Sequence, residues 1–241
     1  MLTATNISKY FNGKVIVNDV SLTVEPHKIT AIMGANGAGK STCFHMLTGL
    51  TTPDKGDVYL NRIPITHDPL YKRVQKGIGY LPQETCLFGQ MTVSENILCA
   101  LEINKPKLTN QDRQDILNQL LDQFELNHVS NTQTQKISGG EKRRTEIART
   151  LAISPSYLLL DEPFAGIDPK SIQEIKQLIH HLKNHQQIGI LISDHNVRET
   201  LALADTVYII HKGQILASGT PEEVVKHSLV KQYYLGQQPT H

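Results

Sequence analysis

Apolar runs and amphipathic segments alternate along this chain, which is the pattern of an α/β protein. Three runs predict buried strands: "KITAIMG" (28–34), "YLLLDEP" (157–163) and "IGILISDH" (188–195). The segment 39–50 has helical character and ends at Gly49. We therefore expect a sheet domain built from alternating strands and helices.

Two longer helices are predicted by apolar residues at helical spacing. Thr109 is placed to cap the first, and Asp168-Pro169 begins the second with proline at its first helical position. Their expected inner faces consist of Ile116, Leu117, Leu120, Leu121 and Phe124, and of Ile172, Ile175, Leu178, Ile179 and Leu182.

The last third of the chain predicts a hairpin and a short helix. "TVYIIHKGQILASG" turns at Lys212-Gly213, and "TPEE" (220–223) is a capping box that opens a C-terminal helix. Strand patterns lie on both sides of a more helical region. We expect residues 84–152 to be a helical subdomain inserted into one sheet domain made of 1–83 and 153–241.

Composition narrows the class of protein. The 241 residues are 39% hydrophobic and 20% charged, with a net charge of +1, so no overall field draws the chain onto nucleic acid. Three cysteines without CxxC spacing suit a reducing compartment and are interpreted as small buried apolar residues. We find no apolar leader-like segment and no run near the ~20 residues that a membrane helix requires, and therefore expect a cytoplasmic chain.

The segment "GANGAGKST" (34–42) fits the phosphate-loop pattern G-x-x-x-x-G-K-[ST] between a strand and a helix. Its glycines let backbone N–H groups surround phosphate oxygens, Lys40 supplies a positive charge, and the Ser41 hydroxyl suits Mg²⁺. The expected phosphate-binding residues are Gly34, Ala35, Asn36, Gly37, Ala38, Gly39, Lys40, Ser41 and Thr42.

Two carboxylates end the second predicted strand, at the edge where α/β sheets bind ligands. Asp161 would hold Mg²⁺ directly or through water, and Glu162 would orient or deprotonate the attacking water. His195 ends another strand, so a contact to the γ-phosphate is expected of it. Gln83 follows a strand-like run, where an ordinary loop glutamine is the open alternative.

A second candidate anion site is the segment "KISGGEKRRTEIAR" (136–149). Ser138 can cap a helix, and Gly139 and Gly140 let the backbone approach a ligand at the positive end of that helix. The chain therefore has two helix starts suited to phosphate, although only the first has its own P-loop lysine. The run "KRR" (142–144) is interpreted as a solvated helix face.

Taken together, "GANGAGKST", Gln83, "ISGGE", "YLLLDEP", "GID" and His195 resemble ABC-type ATPase domains in order and spacing, over the whole chain. That resemblance implies a P-loop NTPase with a RecA-like core sheet, an ABC-type antiparallel β part and an inserted helical subdomain. It implies ATP hydrolysis with Mg²⁺ as cofactor. Ile137, Glu141 and Ala35 depart from the commonest family residues.

The resemblance also implies a homodimer with two ATP molecules between head-to-tail chains. Each ATP would then be bound in trans by the partner's signature segment, here Ser138, Gly139, Gly140 and Glu141, with Asp168 at the dimer seam. Gln83 would contact the ATP and its Mg²⁺. Adenine would stack on Phe11 rather than on Tyr10.

Several stretches, among them "GGEKRRTEIART", "SDHNVRETL" and "VKQYYLG", resemble the ATPase subunit of the lipopolysaccharide-export transporter of Gram-negative bacteria. This implies a peripheral protein on the cytoplasmic face of the inner membrane, working under two integral membrane subunits and without direct contact with the cargo. Phe88 and Met91 are the expected docking contacts, although both could be core residues.

Two other functions remain open on the sequence alone. The ATPase of a branched-chain amino acid importer shares the short length and layout, and a soluble ATPase of iron–sulfur cluster assembly would need no membrane partner. No binding to nucleic acid is expected.

Overall fold

A computed structural model describes residues 1–235 of the chain. Gly236, which closes the "VKQYYLG" stretch, and the final "QQPTH" lie outside the described residues. In the part of the chain that is described, no helix has the length and apolarity that crossing a bilayer requires.

Within residues 1–235, ten strands form two sheets. A four-stranded antiparallel sheet has the order β2-β1-β4-β5, and a six-stranded sheet has the order β10-β9-β3-β8-β7-β6. The strands are β1 Leu2–Phe11, β2 Lys14–Val24, β3 Ile29–Met33, β4 Lys55–Leu60, β5 Ile63–Pro64, β6 Ile78–Leu81, β7 Tyr157–Asp161, β8 Gly189–Ser193, β9 Thr206–His211 and β10 Gln214–Gly219.

Helices connect the strands and fill the region between β6 and β7. They are α1 Lys40–Thr48, α2 Leu70–Gln75, α3 Val93–Asn104, α4 Asn110–Gln123, α5 Gly139–Leu151, α6 Pro169–His185, α7 Val197–Leu203, α8 Pro221–Lys226 and α9 Ser228–Val230. Short 3₁₀ turns at Asn127–Val129 and Thr134–Lys136 precede α5, and a π-helical turn covers Lys231–Leu235.

The middle strands of the six-stranded sheet are parallel and buried on both faces, which explains their unbroken apolar sequences. Successive side chains point to opposite faces. Leu158 and Leu160 therefore join the core with α3–α6, whereas Leu159 joins the core with α1 and the antiparallel sheet. The sheet thus separates two apolar layers.

The helix caps form as the sequence predicts. Thr109 caps α4 in a capping box with Asp112, Asp168 caps α6, and Thr220 forms a box with Glu223 at the start of α8. The predicted hairpin is the pair β9–β10. The predicted α/β fold class, with its additional antiparallel sheet, is confirmed.

One compositional expectation is wrong in part. Cys43 on α1 is fully buried, but Cys86 and Cys99 are only half-buried. Cys86 lies in the loop after β6, where the chain leaves the sheet for the helical region.

Candidate functional site

Four parallel strands are each followed by a polar segment at the same edge of the six-stranded sheet. The order β3-β8-β7-β6 places their carboxyl ends side by side. The phosphate loop follows β3, Gln83 follows β6, Glu162 follows β7, and His195 follows β8. The fold therefore gathers at one place the residues that the sequence predicted separately.

The phosphate loop closes tightly at the start of α1. Gly39 is the N-cap residue at φ 108°, and no side chain caps this helix. Gly34 also needs to be glycine, because a Cβ there would lie 2.2 Å from the Ile210 carbonyl oxygen. The first backbone N–H groups of α1 thus face the loop without a side-chain acceptor, as a phosphate site requires.

Lys40 is 6% exposed and folds back onto its own loop. Its Nζ donates to the carbonyl oxygens of Gly34 at 2.8 Å and Ala35 at 3.1 Å. Burial lowers the pKa of Lys40, and the negative charges of Glu162 and Asp161 partly oppose this shift. The strand order β3-β8-β7 puts both carboxylates, at the end of β7, on the same sheet edge as the phosphate loop.

The two carboxylates are buried and held by hydrogen bonds. Asp161 accepts a bond of 2.7 Å from the Ser193 hydroxyl through one of its two oxygens. Glu162 accepts a bond of 2.7 Å from the Gln83 amide, and its other oxygen lies 2.6 Å from His195 Nε2. Gln83, Glu162 and His195 therefore form one connected cluster.

Glu162 adopts an uncommon backbone conformation, with φ at 48°. This left-handed conformation costs a non-glycine residue on the order of 1 kcal/mol, so the surrounding contacts must stabilise it. The Glu162 N–H donates to the Ser193 carbonyl at 2.7 Å. A strained residue at the ligand-binding edge of a sheet is a candidate for chemistry.

The oxygen donors here fit Mg²⁺. Ser41 is exposed in the first turn of α1, Asp161 has a second carboxylate oxygen beyond the one bound to Ser193, and Gln83 offers an amide oxygen. Hard oxygen ligands, few in number and supplemented by substrate phosphates, are how proteins usually hold this ion.

The second helix start, at α5, is capped from within. Ser138 and Glu141 form a capping box, in which the Ser138 hydroxyl lies 2.7 Å from the Glu141 carboxylate. His128 also contacts Glu141, at 2.8 Å. These groups, and first of all the Ser138 hydroxyl, hold the pKa of Glu141 below its usual range.

The glycines of this segment lie against a different part of the molecule from the phosphate loop. A Cβ on Gly140 would lie 2.3 Å from Ser171 Oγ on α6, and the nearest atom to one on Gly139 is the Gly166 carbonyl oxygen. Asp168 accepts bonds from the N–H groups of Lys170 and Ser171. No hydrogen bond among the described residues links this segment to the phosphate loop.

The interpretation of "KRR" as a solvated face is wrong for its middle residue. Arg143 is 6% exposed, and it pairs with the buried Glu146 at 2.9 Å. Gly140, Arg143, Ile147 and Leu151 recur at helical spacing on the buried face of α5. That spacing is the signal that places Arg143 inside, and the charge of the run obscured it.

Of the remaining predicted residues, two aromatic side chains lie on the surface and a methionine is half-buried. Phe11 is 48% exposed at the end of β1, with Lys9 Nζ 5.5 Å from its ring centre. Phe88 is 54% exposed beside the Arg149 guanidinium, and Met91 is half-buried. Phe88 is therefore not a core residue.

Comparisons with known proteins agree with this geometry. A family model described as ABC transporter matches residues 17–165. The lipopolysaccharide export system ATP-binding protein LptB of Haemophilus influenzae is 47% identical over 99% of this chain and 98% of its own length. LptB of Escherichia coli strain K12 is 44% identical over 98% and 97%.

Solved structures are similar over nearly the whole fold. The ADP conformation of MJ1267, an ATP-binding cassette of an ABC transporter, superposes with a TM-score of 0.84 at 28% identity and covers 98% of both chains. The dimeric post-hydrolysis structure of the cassette MJ0796, bound to ADP and Pi, has a TM-score of 0.82 at 25% identity and covers 92% of this chain and 99% of that one.

Proposed function

This chain belongs to the ATP-binding subunits of ABC transporters, and on that premise we propose that it hydrolyses ATP to power lipopolysaccharide export through separate membrane subunits. The observation that supports this most is the cluster of Gln83, Glu162 and His195 beside the phosphate loop. Phosphoryl transfer needs positioned charges and groups that can orient an attacking water, and these three side chains can supply both.

ATP is bound first by the loop of residues 34–42. Backbone N–H groups at the start of α1 hold the phosphates, and Lys40 exchanges its loop carbonyls for phosphate oxygens. Phe11 stacks on the adenine from the end of β1. Ser41, Gln83 and Asp161 are the residues that would hold Mg²⁺, which neutralises phosphate charge when bound.

Hydrolysis requires a base and a group that orients the γ-phosphate. Glu162 accepts the proton of the attacking water. His195 Nε2, which lies 2.6 Å from the Glu162 carboxylate, turns away from it to donate to the γ-phosphate when ATP is bound. Gln83 donates to the other oxygen of the Glu162 carboxylate and so keeps this base oriented. The positions of these side chains account for catalysis without any covalent intermediate.

The signature segment completes the site of a second, identical chain. Ser138, Gly139, Gly140 and Glu141 bind the partner's ATP in trans, and Asp168 lies at the seam of the homodimer. Each ATP then contacts two chains, which raises the affinity of the dimer far above that of either half-site. Hydrolysis removes this link, and the chains separate.

The membrane partners are two integral subunits, and this chain docks peripherally on the cytoplasmic face of the inner membrane without touching the cargo. The exposed ring of Phe88 and the half-buried Met91 form the docking contact. Relatives that match over nearly their whole length carry the name of the lipopolysaccharide export system, which favours this cargo over amino acid import. The inserted helical subdomain 84–152 carries both the docking contact and the signature segment.

Two experiments test the proposal at separate levels. Glu162→Gln should lower turnover by at least ~100-fold, as expected for loss of a general base, while retaining ATP in a stable dimer. Turnover near wild type would remove Glu162 from this role. Independently, gentle solubilisation of membranes with tagged chain should recover two distinct membrane proteins with periplasmic domains, and an amino acid permease pair or a soluble scaffold would overturn the export assignment.

A further inference from the structure

Arg143 on α5 is a buried cation whose hydrogen bonds go mostly to main-chain carbonyls. Its Nε donates to Pro163 at 3.2 Å, and its Nη2 donates to Asp161 at 3.1 Å and to Glu162 at 3.0 Å. Its Nη1 donates to the Pro82 carbonyl at 3.1 Å and to the Glu146 carboxylate. All five N–H donors of the guanidinium therefore have an acceptor.

Three of these acceptors are consecutive carbonyls where β7 ends. Glu162 is the middle one, and it is the residue with the left-handed backbone. Its N–H is already bound to Ser193, and its carbonyl accepts from Arg143 at 3.0 Å and from the Ala165 N–H at 3.2 Å, so Arg143 supplies the side-chain restraint on the carbonyl side. The main chain of Glu162 is thus held on both sides, and the direction of its carboxylate follows from that.

The same guanidinium also binds the main chain next to Gln83, whose amide donates to Glu162. The Pro82 carbonyl, one residue before Gln83, binds Nη1. Glu146, 2% exposed, extends the attachment by accepting from Thr85 Oγ1 at 2.6 Å and from the Cys86 N–H at 3.2 Å. The loop after β6 and the end of β7 are therefore joined through one side chain of α5.

We propose that Arg143 is a positioning residue for ATP hydrolysis, which sets the main chain of Glu162 and of the segment before Gln83 so that their side chains meet in the reactive arrangement. This inference rests on the proposed role of Glu162. It assigns Arg143 no contact with ATP. Its effect is on the geometry of the base, and so on kcat rather than on nucleotide binding.

Lysine is a poor substitute at this position. Its ammonium has three donors around a point, whereas the planar guanidinium reaches Pro163, Glu162 and Pro82 in different directions at once. Arg143→Lys keeps the positive charge opposite Glu146 but cannot donate to the loop after β6 and to the end of β7 at the same time. Arg144→Lys is the matched control, because Arg144 is the next residue on α5 and pairs with Glu174 on α6 instead.

The test is steady-state hydrolysis of Mg-ATP, with nucleotide binding and melting temperature measured on the same proteins. Arg143→Lys should lower kcat about 10- to 100-fold, the loss expected for a displaced catalytic group, with KM within about twofold. Arg144→Lys should keep kcat within about twofold. Equal losses in both variants, or a rise in KM that accounts for the loss, would mean a merely structural role and overturn the proposal.

Arg143→Gln, combined with Glu146→Gln, carries the test if the lysine variant does not fold, because the amide still donates to a carbonyl and the second change leaves no unpaired carboxylate buried. It too should lose kcat with little change in KM. Wild-type turnover in a folded Arg143→Gln or Arg143→Lys protein overturns the proposal.

A double-mutant cycle with Glu162→Gln separates this inference from the proposed function. If Arg143 acts through Glu162, then Arg143→Lys should reduce the residual turnover of Glu162→Gln by less than about twofold, since the positioned group is already gone. An inactive Glu162→Gln beside a fully active Arg143→Lys would defeat only the positioning role. A fully active Glu162→Gln would defeat the proposed role of Glu162 itself.

Discussion

The two helix starts that the sequence marks for phosphate differ in how their own chain satisfies them. At α1 the cap is a glycine, no side chain accepts from the helix N–H groups, and Lys40 is buried next to them. At α5 the cap is Ser138, which is bound to Glu141 in a complete box. The first start leaves its N–H groups and a cation for a phosphate, and the second is a helix end already capped by its own carboxylate.

This difference indicates what each start can do alone. A free phosphate gains a cation and several N–H donors at α1, but at α5 it meets the negative charge of Glu141. Binding at α5 therefore needs a phosphate that is already neutralised elsewhere, as it would be on another chain's Lys40. The capping chemistry of one chain thus favours the shared site that the ABC resemblance implies.

The largest expected effect comes from removing the lysine that only one helix start has. Lys40→Met should weaken ATP binding about 10- to 100-fold, the value of a charge-assisted hydrogen bond in a buried site, and abolish turnover. Lys142→Met, beside the other start, should bind ATP like wild type in a titration of the single chain. An equal loss of ATP affinity in both variants would mean that the two helix starts do not differ in phosphate binding.

The second largest effect is expected from overpacking the contact between α5 and α6. Gly140→Ala places a Cβ 2.3 Å from Ser171 Oγ, which should cost about 1–3 kcal/mol. Without nucleotide its melting temperature should fall by about 2–4 °C for each kcal/mol. Gly139→Ala meets no atom nearer than 3.7 Å and serves as control. An unchanged melting temperature in Gly140→Ala would mean that α5 shifts freely.

Loss of a cap should have a smaller effect. Ser138→Ala should lower stability by about 1 kcal/mol, and Thr109→Ala, in the equivalent box of α4, should cost about the same. Only Ser138→Ala should also impair ATP-dependent dimerisation, measured by light scattering with Glu162→Gln chains. If both variants dimerise equally well, Ser138 acts only as a cap.

The smallest effect is a pH dependence of the α5 cap. Because the folded-state pKa of Glu141 is lowered, its ionised form stabilises the protein above the ordinary value of about 4.3, and this contribution is lost as pH falls through the lowered pKa. Glu141→Gln should therefore differ from wild type in stability at neutral pH and converge with it under acid. A constant difference from pH 3 to 7, in denaturant titrations, would contradict this.

The phosphate loop could be predicted from the sequence because its chemistry fixes residue identity as well as spacing. Gly34 and Gly39 are required by close backbone contacts, and Lys40 by charge, so the pattern is visible without any packing information. The buried strands β7 and β8 were equally visible, since both of their faces are apolar. Local signals sufficed for these elements.

The antiparallel sheet gave no such signal of its own and was expected only from the ABC resemblance. β1 and β2 shift register between Ala4 and Ile7, and Asn6 and Asp19 there have positive φ. Such bulges break the alternation of apolar and polar residues that identifies a strand. The hydrogen bonds of Arg143 could not be predicted for another reason. Their acceptors are mostly main-chain carbonyls, and every residue type has one, so the sequence does not show which carbonyls will be bound.

The capped start of α5 has a consequence for reaction order. If each site is completed only by a second chain, the rate per chain is not a constant of the protein. In dilute solution it should rise with the concentration of chain, and an excess of Lys40→Met chains should alter the activity of wild-type chains that pair with them. On a membrane, where two copies are held side by side, this dilution dependence should vanish.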